Sequence, residues 1–371
     1  MSIGILGRVL GEKIDFSEAD LLRMRLRFNQ FELEFASQDE TLFAAVAEYY
    51  RPFIAADGKA APDSSVYAFQ LPGKSSTFNM RDFSRVERGK KIKEEFIDIF
   101  EGRVVRKKRS KVEMFFDGRN NVIFGSLHDN LHQVCHLINI VYSRYFLVNR
   151  GYMLWHAAAM GDPTTGKAAA IAGLGDTALN TIIMRLLEQD FCFCTYDRLM
   201  VRGGGDEVHA LGYPKRPFCN AAAVLNNPRL APIVPVEELA KLKAMPAREV
   251  LALDLTYDIP VEKIYGPDRY RLECELSSLY LIKWTADRNV QPRITRLEPG
   301  MAMKELALYY KDLGVFDLNN CRGERLVTPN WTHLHRTFDK IGIYMVDGFI
   351  AFDNLVKHVK SEGLQTGESE E

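Results

Sequence analysis

Residues 168–181 read AAAIAGLGDTALNT. The apolar run Ala168–Ala172 has the character of a strand, and glycines at 173 and 175 interrupt it. From about Ala178 to Gln189 the apolar spacing becomes helical. Strand, glycine-containing loop and helix, in that order, form the frame in which a chain clasps phosphate. Glycines permit the tight turn, and backbone N–H groups at the helix N-terminus face the anion. A lysine reaches the terminal phosphates, and a Ser or Thr holds Mg2+. Here the frame is present but its chemistry is missing. Where Gly-Lys-Ser would stand the chain has Ala178–Leu179–Asn180, and Asp176 adds a negative charge where a polyphosphate would approach. Gly173, Gly175 and Thr181 are what remains to hold a nucleotide. The competing reading is a connecting loop that never bound phosphate.

A second string, Gly161–DPTT–Gly166–Lys167–Ala168, fits GxxxxGK by pattern. It lies between two apolar runs, Met153–Met160 and Ala168–Ala172, so it reads as a hairpin turn with a solvated Lys167. Beyond the loop, Phe191–Tyr196 reads as a strand ending at Asp197, and Leu199–Leu211 as a hairpin around Gly203–Gly205. Later, Val236–Lys243 and Ala302–Leu313 read as helices, and Val250–Asp254 and Ser278–Trp284 as strands. Ile341–Met345 reads as a strand before a closing helix over Gly348–Val359.

The first 150 residues look different. Leu22–Phe35 alternates apolar and charged residues with a period of two, which suits a half-buried strand or hairpin, and Asp39–Tyr50 has helical spacing. Lys93–Phe100 reads as a short helix or strand. Val104 to Phe116 reads as strands around a turn at Asp117–Asn120, and His128–Val148 as a long amphipathic helix. Six basic residues between Arg103 and Lys111 (103, 106, 107, 108, 109, 111) read as the solvated face of a strand, with an acidic protein partner as the sharper alternative. His128, His132 and His136 fall at i, i+4 and i+8, but they lack the HExxH glutamate and an acidic third ligand or second helix to complete a pair, so no metal site is expected.

His156 sits on an apolar strand just before the loop strand, where a packed histidine and a site residue are both reasonable. Asp197 ends an apolar strand, the place where open α/β sheets keep their ligands, although pairing with Arg198 is a structural alternative.

With these residues in view, the chain resembles the HPr serine kinase/phosphorylase superfamily, and most closely its HPr kinase-related kinase B branch. The resemblance is carried by Leu154–Trp155–His156–Ala157–Ala158–Ala159, Ala170–Ile171–Ala172–Gly173 and Phe193–Cys194–Thr195–Tyr196–Asp197–Arg198–Leu199. It extends to Gly102–Lys107, to Asn130–Val134 with Ile138–Asn139, to Pro214–Lys215–Arg216–Pro217 with Asn220, and to Leu225–Asn227, so it covers about residues 20–360. It implies that His156 supports the site and that Asp197 acts on the attacking hydroxyl and the metal. It also implies that Lys215, Arg216, Asn220 and Asn227 line the cleft, and that a homo-oligomer is possible. The positions that bind ATP and Mg2+ hold Leu179 and Asn180 instead, and Tyr196 stands for a second polar residue.

The fold expected is α/β. A mixed α+β N-terminal domain occupies 1–150, and an HPr-kinase-like, phosphate-loop core with a C-terminal helical and strand extension occupies 151–360. A disordered acidic tail follows over 361–371. The function implied is a pseudokinase with a regulatory or partner-binding role and no assured cofactor. The alternative is an ATP- and Mg2+-dependent Ser/Thr kinase, a transferase, in which Lys215 or Lys167 replaces the missing lysine. Catalytic candidates are His156 and Asp197, and cofactor-binding candidates are Gly173, Gly175, Thr181, Lys215 and Asn220, with no metal ligands.

Bulk composition narrows the partners. The formal net charge is −1 with 26% charged residues, which lacks the basic excess of a nucleic-acid binder. No run of about 18 apolar residues occurs, and the N-terminus is not a convincing signal peptide. The six cysteines lack CxxC spacing and read as buried thiols, with Cys192 and Cys194 sharing a strand face. A cytoplasmic protein that meets a protein partner or protein substrate is expected.

Overall fold

The computed structural model describes residues 2–56, 60–85, 93–99, 102–173, 179–319, 331–362 and 364. They are mixed α and β and form two compact units. One runs to Arg150 and takes in a stretch that starts at Asp312; the other begins at Gly151. No helix among the described residues is long and apolar enough to cross a membrane.

In the first unit the alternating segment becomes a hairpin, Leu22–Phe28 against Phe31–Ser37, with Leu26 opposite Leu33 and Phe28 opposite Phe31. Asn29 takes a left-handed φ of 57° at its tip, a conformation asparagine tolerates well. The sheet continues through Ser64–Gln70 and Asn120–Gly125, both added in parallel, to antiparallel Glu113–Phe116, Gly102–Lys107 and Glu94–Ile99. Residues 94–99 are therefore strand. Helix Glu40–Tyr49 starts where Asp39 accepts from the Leu42 N–H, and helix Leu131–Asn149 packs on the sheet. His128 lies outside that long helix, in a single 3-10 turn, and its Nε2 is 2.9 Å from Asp39 Oδ1.

The basic strand corrects the expectation of a solvated face. Arg103, Arg106 and Lys107 are buried. Arg103 Nε is 2.6 Å from Asp98, and Arg106 Nε is 2.9 Å from Glu113, itself 1% exposed. Lys107 Nζ is 2.5 Å from Glu94. The strand lies inside the sheet, so its charges are neutralised by neighbouring strands. These three have no charge to offer an acidic partner.

In the second unit the strand order is Cys192–Thr195, Ala158–Gly161, Lys167–Gly173, Glu273–Thr285, Glu207–Gly212, Leu199–Gly204, Met153–Trp155 and Tyr310–Lys311. Gly342–Phe349 pairs in parallel with the later half of Glu273–Thr285. Ala169 and Ile171 face one apolar cluster, closed by Ile182, Ile183 and Leu186 of helix Leu179–Leu187 and by Leu355 and Val359 of the last helix. Ala170 and Ala172 face a second cluster, closed by Ala302 and Leu306 and by Leu334 and Phe338. Burial on both faces explains why Ala168–Ala172 is apolar throughout rather than alternating. The sheet curls until Gly212 meets Cys194, where a Cβ would lie 2.2 Å from the Cys194 carbonyl oxygen.

Several boundaries differ from the sequence reading. Met153–Met160 is two strands, which break at His156–Ala157 and take different neighbours. Val250–Asp254 is not a strand: Ala247–Ala252 is a helix entered from Pro246, and only Val250 on it is buried. The helix expected over 302–313 spans Pro299–Leu306, and the chain then forms the short strand Tyr310–Lys311 against Leu154–Trp155. The GxxxxGK-like string is a hairpin turn, with Asp162 Oδ1 accepting from the Thr164 N–H at 2.7 Å. Cys321, and the tail beyond Leu364, lie outside the described residues.

Replacing Arg106 by Met would leave Glu95 and Glu113, 2% and 1% exposed, without their buried cation. A loss of about 3–5 kcal/mol in urea unfolding is expected. A loss below about 1 kcal/mol would show that this network is not an energetic unit.

Candidate functional site

Two strand registers create the site. Trp155 pairs with Leu199, and Ala159 pairs with Thr195. The links His156–Ala157 and Tyr196–Arg198 therefore carry both chains from one strand pairing to the next at the same level. Ala158 pairs with Ile171 of the loop strand, which ends at Gly173. The two links meet at one level. Two hydrogen bonds to backbone carbonyls brace the corner: Thr195 Oγ1 donates to the Arg198 carbonyl at 2.9 Å, and the His156 N–H donates to the Tyr309 carbonyl at 2.7 Å.

Three half-buried side chains meet there. His156 Nδ1 lies 3.0 Å from Asp197 Oδ1 and 2.9 Å from Arg198 Nη1. Arg198 Nη1 also pairs with the Asp197 carboxylate. When Nδ1 carries a proton, it donates to Asp197; when bare, it accepts from Arg198. Burial alone would raise the Asp197 pKa. The His156 hydrogen bond and the charges of Arg198, Lys215 and His156 outweigh it and hold the carboxyl at about 2.

Lys215 sits in the Pro-bounded segment after strand Glu207–Gly212, with its Nζ 4.8 Å from the Tyr196 ring centroid. Tyr196 is 8% exposed and meets Phe218 edge-on at 5.2 Å. Its hydroxyl is pushed well above its ordinary pKa, first by burial and then by the charges of Asp197 and Asp258. Asp258, opposite Phe218 across a strand pair, has its pKa raised by burial, against the opposing charges of Arg216 and Lys215.

The expected site residues fall into three groups. His156, Asp197 and Lys215 are brought together, and Gly173 ends the loop strand opposite Ile282. Asn220 accepts from the Ala223 N–H at 2.8 Å and caps a short helix, and Asn227 caps the next turn. Thr181 is half-buried in the first turn of helix Leu179–Leu187. Gly175, and with it Asp176, lies outside the described residues. Sequence reading treated Arg198 only as a possible partner of Asp197 and missed Asp258. The adjacent opposite charges at 197 and 198 were the available signal for the first. Asp258 reaches the site only through the pairing of 218–220 with 256–258, which leaves no local trace.

Fold and cluster together define a mixed α/β unit with a charged corner where two of its strand pairs hand over to the next. Among solved structures the chain is similar to the Hpr(Ser) kinase/phosphatase from Coxiella burnetii, with a TM-score of 0.27 and 10% identity, over 56% of this chain and 86% of that chain. No protein-family model matches the chain, and no curated protein does. At so low a TM-score the likeness decides nothing about the site, whose chemistry follows from its own residues.

Because Asp197 is held at about 2 in the folded protein, below the ordinary carboxylate range, its ionised form contributes stability above about pH 4, lost as pH falls towards 2. Asp197→Asn should therefore cost on the order of 2 kcal/mol at pH 7, with the difference from the parent roughly halved at pH 3. Denaturant unfolding at both pH values measures it. A pH-independent difference would mean that the pairing does not perturb Asp197.

Proposed function

We propose that this chain is a pseudokinase built on an HPr-kinase-like scaffold, with a regulatory role exercised through a protein partner. One observation carries the reading. Leu179, at the position where a phosphate-clasping lysine would stand, opens its helix and packs against the apolar cluster formed by Ile182, Ile183 and Phe193. A side chain held in that cluster brings no cation to a γ-phosphate. The state of Asp197 supports the same reading. A carboxyl held at about 2 is a weak general base at neutral pH, since efficient proton transfer favours a pKa near the working pH.

The second reading, an active Ser/Thr phosphotransferase with a rebuilt nucleotide site, is favoured by Lys215, whose charge acts on Asp197. Lys167 does not serve that purpose. It begins the seven-residue strand that Gly173 ends, which separates the two by roughly 20 Å.

Isothermal calorimetry with ATP–Mg2+ should show no binding tighter than about 1 mM, equivalent to roughly −4 kcal/mol. The triple substitution Leu179→Lys, Asn180→Ser and Asp176→Gly should create measurable affinity. Micromolar binding by the unaltered chain would overturn the pseudokinase reading. So would transfer of label from ATP to a protein, and if Asp197→Asn left such transfer unchanged, Asp197 would lose its assigned role in the second reading.

A further inference from the structure

Two cysteines far apart in sequence meet inside the second unit. Cys194 Sγ lies 3.8 Å from Cys274 Sγ, across a separation of 80 residues. Both are free thiols. Cys194 stands on strand Cys192–Thr195 and is 1% exposed. Cys274 stands near the start of Glu273–Thr285 and is half-buried.

Backbone bonds hold the two in register. The Phe193 N–H donates to the Arg269 carbonyl at 2.7 Å, and the Phe193 carbonyl accepts from the Arg271 N–H at 2.9 Å. Strand Cys192–Thr195 is thus tied to the stretch that runs into Cys274. On its other side Cys274 pairs with Ala210, and the Gly212 N–H donates to the Leu272 carbonyl at 2.7 Å. That carbonyl also accepts from the Cys194 thiol at 3.3 Å. A Cβ on Gly212 would fall 2.9 Å from Cys194 Sγ, so the glycine leaves the sulfur its place. A disulfide bond is about 2.05 Å long, and the remaining gap of roughly 1.8 Å is within reach of rotation about the two Cα–Cβ bonds.

The two thiols differ in access. Solvent reaches Cys274 but not Cys194. The hydrogen bond with Cys274, and then burial, raise the Cys194 pKa well above its ordinary value, so Cys194 stays a protonated thiol until its neighbour reacts. Cys192 shares the strand, but its sulfur faces the Asp268 carbonyl at 3.5 Å.

We propose that Cys194 and Cys274 form a reversible modification site, closed into a disulfide by a hydroperoxide. Cys274 Sγ attacks the O–O bond and becomes a sulfenic acid, releasing water when the oxidant is hydrogen peroxide. Cys194 Sγ then attacks the sulfenic sulfur. The S–S bond forms, the S–O bond breaks, and the hydroxyl leaves with the Cys194 proton as a second water. Two thiols give up two electrons, and the peroxide takes them. The bridge closes a loop that carries Asp197, Arg198, Lys215 and Asp258, and so tethers the segment supplying most of the charged corner. In a reducing compartment such a bridge is transient, which suits a sensor of oxidation more than a structural staple. The inference stands whether or not the corner meets a nucleotide.

Treatment of the reduced full chain with a few equivalents of hydrogen peroxide tests the proposal, followed by alkylation in denaturant and peptide mapping by mass spectrometry. Alkylation should label four thiols in place of the six in the chain, the mapped bridge should join Cys194 to Cys274, and dithiothreitol should restore all six. Cys194→Ser and Cys274→Ser should each abolish the bridge, and Cys192→Ser should leave it intact. Six labelled thiols after treatment would overturn the proposal. So would a bridge from Cys192 to Cys274, or over-oxidation of Cys274 without any bridge. Should Cys194→Ser fail to fold, the bridge mapped on the unaltered chain and on Cys192→Ser decides alone.

Discussion

The second unit depends on a strand that has no solvent side. Lys167–Gly173 is covered on both faces, and its two edges are taken by Ala158–Gly161 and Glu273–Thr285. With side chains committed to apolar clusters and backbone groups committed to neighbours, such a strand offers chemistry only at its ends. One end is the Asp162–Gly166 hairpin turn, whose polar groups largely satisfy each other. The other is Gly173. The charged corner forms instead where Met153–Trp155 gives way to Ala158–Gly161 and Cys192–Thr195 to Leu199–Gly204.

Charge is used locally in both units, which gives the near-zero net charge a structural meaning. Arg103, Arg106 and Lys107 are matched by Asp98, Glu113 and Glu94, and Asp197 is matched by Arg198 and His156. Desolvation offsets much of the attraction in such pairs, so they contribute less to net stability than their short distances suggest. Their stronger effect is on arrangement, because either partner left alone is costly. A slip of Gly102–Lys107 by one residue would turn Arg106 away from Glu113 and expose the error energetically.

How much was legible follows from which signals are local. The hairpin at Leu22–Ser37, the helix capped by Asp39 and the decoy turn after Gly161 each state themselves within about ten residues, through period or turn chemistry. The meeting of His156 with Asp197 was half legible. Each marks the end of an apolar run, but the break at His156–Ala157 appears only when the two flanking strands are seen to choose different neighbours. The basic run misled because sequence counts charges without their partners. Glu113 lies close by in sequence, but Glu94 reaches Lys107 only through strand pairing. Val250–Asp254 misled for the opposite reason: its apolar residues suggested burial, whereas all but Val250 stay at least partly exposed on a short helix.

The two readings of the site differ in what a nucleotide would have to undo. Phosphoryl transfer needs a cation for developing charge on the phosphate and a carboxylate placed to orient the attacking hydroxyl. Lys215 lies over the Tyr196 ring, and the Asp197 carboxylate is held by Arg198 and His156. ATP could recruit either group only by breaking a contact already made, in a half-buried setting where the deserted partner pays the desolvation cost. Leu179 offers nothing in return, since its interactions are with the apolar cluster below it. On the proposed pseudokinase reading, charges mutually satisfied without ligand would hold a shape for a partner rather than neutralise a triphosphate.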